Sequence, residues 1–126
     1  MNGLTTEKLT DYDFVDKLCS YGFFFLYETW ANAQTDINID GYKCYNFYRK
    51  IQNRRARRCS GGVAFLVKET LCRGISIVVK GHDTIIRLKL DKHFFGIETD
   101  LSLAGVYLWV ANSPAYNIFN ADLFDL

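Results

Sequence analysis

The chain has 126 residues, 49% of them hydrophobic and 16% aromatic, which is the length of one domain with enough apolar material for a packed core. A charged fraction of 23% and a net charge of +1 exclude a disordered polyelectrolyte and a globally basic protein, so any nucleic-acid signal has to be local. The longest apolar run, Gly22 to Tyr27, is too short to cross a bilayer, and Asn2 to Lys17 lacks a secretory pattern, so the chain reads as intracellular, nuclear or cytoplasmic, with no membrane partner.

In chain order, Leu9, Phe14, Val15 and Leu18 predict one face of a helix over Thr6 to Ser20, capped by Thr5 or Thr6 with Glu7 in its first turn. Tyr21-Gly22 ends it, and Phe23 to Tyr27 is a continuous apolar run of the kind expected for a strand buried on both faces, with Glu28 at its carboxyl end. Ala31 to Asp36 reads as loop; Ile39, Tyr42, Tyr45, Phe47 and Tyr48 are strand-like around the Asp40-Gly41 turn. A basic segment, Arg49 to Arg58, runs into Ser60-Gly61-Gly62 and a second buried strand, Val63 to Val67. Ile75 to Val79, the alternating Thr84 to Leu90, Phe94 to Ile97 and Leu101 to Val110 predict a meander. Asn117 to Leu126 has helical spacing. Helix, then strands, then helix indicates an α+β fold whose strands expect more cover than one complete helix supplies. Cys19, Cys44, Cys59 and Cys72 form no CxxC pair and have no neighbouring histidines, which argues against a zinc centre or a disulfide framework.

Three features carry chemistry. Glu28 is either a turn carboxylate or a ligand held at a strand end, where a rigid scaffold presents side chains to solvent. Tyr107 is either a half-buried strand tyrosine or a hydroxyl donor of a site. The run Arg49, Lys50, Arg54, Arg55, Arg57 and Arg58 is either a solvated loop or a phosphate-contacting arm, with Tyr45 and Tyr48 as stacking partners for bases. His82, His93, Lys68, Lys80, Arg87 and Lys89 read as surface.

Asn2-Gly3-Leu4, FFFLYETW over Phe23 to Trp30, SGGVAF over Ser60 to Phe65 and DLSLAGVY over Asp100 to Tyr107 fall in an order that resembles the endonuclease domain of non-LTR retrotransposons. That domain is a branch of the endonuclease/exonuclease/phosphatase superfamily, and the likeness spans essentially the whole chain. The resemblance implies the amino-terminal half of a four-layer α/β sandwich with a mixed, largely antiparallel sheet and flanking helices. It implies that Glu28 holds a catalytic Mg2+, that Asn2 arranges the site around the scissile phosphate, and that the Tyr107 hydroxyl lies beside that phosphate. It also implies DNA as the partner. Departures are plain: early prolines are missing after Tyr107, and the G-D-x-N and S-D-H motifs of the family's second half do not occur.

The expectation for residues 1–126 is thus a partial domain, lacking its carboxy-terminal half, of a divalent-metal-dependent DNA endonuclease. Such a piece is expected to be inactive alone, to bind Mg2+ weakly and to self-associate through an exposed sheet face. The alternative is a non-catalytic nucleic-acid-binding remnant that uses the loop 49–58. A phosphatase or lipid phosphodiesterase agrees less well with the basic loop.

Overall fold

The computed structural model describes residues 3–49, 61–79 and 85–107. Local chemistry breaks the opening helix in two. Helix α1 (Thr6–Thr10) is capped by Thr5, whose hydroxyl accepts from the Lys8 amide, and α2 (Tyr12–Cys19) begins anew at Asp11. The Asp11 carboxylate accepts from the amides of Asp13 and Phe14, so a side chain takes the place of the carbonyls a continuous helix would supply. The expected single helix is therefore two, although its apolar face is the one predicted. Leu9, Phe14, Val15 and Leu18 pack on a core of Leu4, Leu26, Ile37, Ile39, Tyr42, Ala64 and Leu66.

That core lies on one face of an antiparallel sheet formed by β1 (Phe23–Tyr27), β2 (Tyr42–Phe47) and β3 (Val63–Lys68), ordered β1-β3-β2. The two-residue period divides β3 between two cores. Ala64 and Leu66 face the helices; Val63, Phe65 and Val67 face the other way, joined by Phe23, Phe25 and Tyr27 from β1 and by Tyr45 and Phe47 from β2. Residues Val63 to Val67 are at most 2% exposed, as expected for a strand covered on both faces. Phe23 to Tyr27 is also covered on both faces, but β1 is the outer strand of this sheet and only Leu26 in it is fully buried.

A 3-10 turn (Glu69–Gly74) leads into a second antiparallel sheet of β4 (Ile75–Val79), β5 (Ile85–Leu90) and β6 (Leu101–Val106), ordered β4-β5-β6. Ile86, Leu88 and Leu90 of β5 close on Val63, Phe65 and Val67, so one apolar core joins the two sheets. Lys89 projects outward and pairs with Asp100 at 2.8 Å. In β6, Leu101 and Leu103 are paired with Leu90 and Leu88 yet remain 46% and 38% exposed.

The fold is mixed α+β, as expected, with every strand pairing among the described residues antiparallel. The strand expected at Phe94 to Ile97 is instead a short helix, α3 (Lys92–Phe95). Asp91 caps it by accepting from the Phe94 amide at 2.8 Å, and left-handed Gly96 ends it. Its place in the meander suggests a strand, and the flanking cap residues decide otherwise. The helix expected at Asn117 to Leu126 lies outside the described residues. Among the described residues no helix is long and apolar enough to cross a membrane.

Candidate functional site

Where β1 ends, the backbone takes a conformation that its residue types disfavour. Glu28 has φ +57° and Trp30 φ +54°, both left-handed and neither glycine. Each such residue costs of order 1–3 kcal/mol and persists only where its surroundings impose it. They do so here from two sides. The Gly3 and Leu4 amides donate to the carbonyls of Glu28 and Thr29 at 2.9 and 2.8 Å, and the Thr29 and Trp30 amides donate to the carbonyls of Gly62 and Gly61 at 3.3 and 2.9 Å. Residues 28–30 are thus clamped between the opening of the chain and the glycine pair that enters β3, with Thr29 only 2% exposed.

The clamp aims the Glu28 carboxylate. Its Oε2 accepts from the Trp30 indole N–H at 2.9 Å, and its Oε1 accepts from the Tyr107 hydroxyl, 79 residues away at the end of β6. Tyr107 stacks on Tyr27, ring centroids 6.0 Å apart and planes at 21°. Gly105 permits that approach, because a Cβ there would stand 2.9 Å from the Tyr27 hydroxyl and 2.8 Å from Phe25. The carboxyl end of the first sheet and that of the second are in this way fastened at one carboxylate.

Arg49 lies just beyond β2. Its guanidinium lies over Gly61, where a Cβ would come within 2.8 Å of Nη2 and 3.0 Å of Cζ. Gly61 has φ +70°, so glycine is needed there for backbone as well as for space. Burial pushes the Tyr107 phenol up to about 12; its bond to Glu28 and the Glu28 charge reinforce the rise, and the Arg49 charge opposes it. Tyr107 is consequently a proton donor throughout the physiological range.

An ionised carboxylate offers about four lone-pair positions, and Trp30 and Tyr107 use one on each oxygen. The remainder suit a hard cation that keeps most of its shell as water and phosphate oxygen, as Mg2+ does. Among the described residues no three of His, Cys, Asp and Glu gather into a fuller metal cage.

Of the residues singled out in the sequence, Glu28 and Tyr107 therefore meet, and Arg49 lies against Gly61. Asn2, Lys50, Arg54, Arg55, Arg57 and Arg58 lie outside the described residues. Tyr45 is half-buried and stacks its ring on Phe65 at 6.0 Å. His93 is exposed, as expected. The contact of Trp30 with Glu28 is not among the expectations from sequence, which place Arg49 with the basic run that follows it. An indole two residues after a strand-end glutamate is the one signal that could have found that contact. Comparison with models of protein families, with curated proteins and with solved structures returned no match to this chain.

Proposed function

We propose that the chain is part of a divalent-metal-dependent phosphodiesterase domain acting on DNA, organised as one half of a four-layer α/β sandwich and resembling the retrotransposon endonucleases. The observation that carries the reading is the Tyr107 to Glu28 hydrogen bond. It joins strand ends of two different sheets and unites the two residues that the motif order had independently assigned to the ion and to the phosphate. Left-handed strain at Glu28 and Trp30 supports it, since strained backbone clusters at functional sites.

In this reading Glu28 would hold Mg2+, which when bound neutralises charge developing on the phosphate and the leaving oxygen. Trp30 fixes one carboxylate oxygen and so orients the other. Tyr107, kept protonated by burial, now donates its one hydroxyl proton to Glu28, and would turn it to a phosphate oxygen once an ion occupies the carboxylate. The basic segment 49–58 would follow the DNA backbone, and the exposed Leu101 and Leu103 edge of β6 would promote association of copies.

The test is paramagnetic. Mn2+ titrated into the labelled chain should broaden the Trp30 indole and Tyr107 resonances before others, and Glu28→Gln should abolish that selectivity. Uniform broadening, or selective broadening that survives the substitution, would sink the reading. Incubation of the 126-residue chain with Mg2+ and supercoiled plasmid is expected to leave the plasmid closed.

A binding-only reading has one observation in its favour. Both oxygens of Glu28 already accept from neutral donors, an arrangement that also serves a carboxylate whose role is to fasten two sheets. It predicts salt-sensitive DNA binding that is unchanged by Glu28→Gln and by removal of divalent ions.

A further inference from the structure

We propose that Trp30 is a positioning residue for the Glu28 carboxylate and that the bare face of Gly3 is the seat that holds its indole in place. The inference rests on the phosphodiesterase reading above and gives the glycine of the opening Asn2-Gly3-Leu4 motif a role in ion binding.

The indole is fixed at three points. At its root, the Trp30 amide donates to the Gly61 carbonyl at 2.9 Å, and the backbone there has a φ of +54°. At its edge, the ring N–H, which can only donate, gives its proton to Glu28 Oε2 at 2.9 Å. Beneath it lies Gly3, where a Cβ would stand 2.4 Å from Cε3, 2.9 Å from Cζ3 and 3.0 Å from Cδ2 of the ring. Gly3 is itself fixed. Its amide donates to the Glu28 carbonyl at 2.9 Å, and its carbonyl accepts from the Lys8 ammonium at 2.7 Å. One glycine thus holds the backbone of Glu28 and supports the ring that holds its side chain.

A side chain at position 3 could not be absorbed by a small adjustment. Ordinary contact begins near 3.4 Å, so a ring atom at 2.4 Å would have to retreat by about 1 Å. The root of the ring is tied to Gly61, so the retreat falls on its N–H end. A bond of 2.9 Å stretched by that much is no longer a hydrogen bond. Glu28 Oε2 would then be released, and the oxygen left for the ion would lose its direction. Groups that orient a metal ligand are worth about ten- to a hundredfold in affinity.

The experiment measures the Mn2+ affinity of the full chain from the electron paramagnetic resonance of the free ion, alongside the melting temperature and the Trp30 indole proton in nuclear magnetic resonance. Gly3→Ala and Trp30→Phe, which keeps an aromatic ring and removes the N–H, should each weaken Mn2+ binding about tenfold. The double variant should be no weaker than the weaker single, because both changes act through one bond. In Gly3→Ala the indole proton should move upfield, as an N–H released from a carboxylate does. Gly41 supplies the control: its φ is +79° against +78° at Gly3, and nothing lies within 4 Å of its Cβ position. Gly41→Ala carries the backbone strain alone, so it should lower the melting temperature and leave Mn2+ affinity and the indole proton unchanged. Wild-type affinity in either folded single variant, an unmoved indole proton in Gly3→Ala, tenfold weakening in Gly41→Ala, or a double variant about a hundredfold weaker would each overturn the proposal and leave the phosphodiesterase reading standing. If Gly3→Ala does not fold, Trp30→Phe decides by the same tenfold criterion. Mn2+ binding in the wild type that Glu28→Gln does not weaken would remove the phosphodiesterase reading and this inference with it.

Discussion

The two sheets are the same size and pair the same way, yet they are covered differently. The first has helices on one face and the second sheet on the other, so its middle strand reads VAFLV before the Lys68 that ends it. The second is covered on the face that meets the first, and its middle strand alternates: Ile86, Leu88 and Leu90 turn inward while Arg87 and Lys89 fall between them. Coverage, more than strand propensity, sets the composition of a strand.

Substitutions can break that contrast in order of size. Phe65→Ala, in the wholly buried middle strand of the first sheet, should destabilise by about 3–5 kcal/mol in chemical denaturation. On the helix-covered face, burial pushes the Cys44 thiol up to about 11 from an ordinary value of 9.0. Its thiolate is then about a hundredfold scarcer than that of a free thiol, so alkylation of Cys44 near neutral pH should be slower by about that factor until the chain unfolds. Asp11→Ala removes the cap of α2 and should cost about 1 kcal/mol, read as a lower thermal midpoint.

On the outer face of the second sheet the effects shrink. Pairing with Lys89 holds the Asp100 carboxyl below its usual range, so its contribution is present above the unfolded pKa and lost as pH falls through the folded one. Full exposure to salt screening keeps that acid-side loss slight, and Asp100→Asn should remove whatever part of the pH dependence it supplies. Ser102→Ala, opposite Lys89, should change stability by less than about 0.5 kcal/mol. A large effect there would mean that the outer face has a cover of its own.

Legibility followed the same division. The strands Val63 to Val67 and Ile75 to Val79 were readable because an apolar run between turn residues leaves few alternatives. The run Phe23 to Tyr27 marks cover on both faces but not its place in the sheet, because an aromatic run carries the same signal at the edge as in the middle. The strand expected at Phe94 to Ile97 gives way to a helix because Asp91 and Gly96 supply its caps, a signal that a reading by apolar runs does not use. At the site, strand-end position and motif order pointed to Glu28 and Tyr107. Nothing local announces that Glu28 and Trp30 will adopt positive φ, and without that bend the indole contact does not follow from spacing.

The backbone at Glu28 also ranks its possible replacements. Glycine there would relax the left-handed bend, while alanine and glutamine would keep it. Glu28→Gly should therefore melt higher than Glu28→Ala, which loses the same two hydrogen bonds and keeps the strain, and against the wild type its relief of strain is set against those two bonds. A library at this position selected only for thermal endurance would drift toward glycine or asparagine, and one selected for the site's chemistry would hold the acid. Divergence between those two outcomes would measure, in sequence frequencies, how far the carboxylate is kept for what it does.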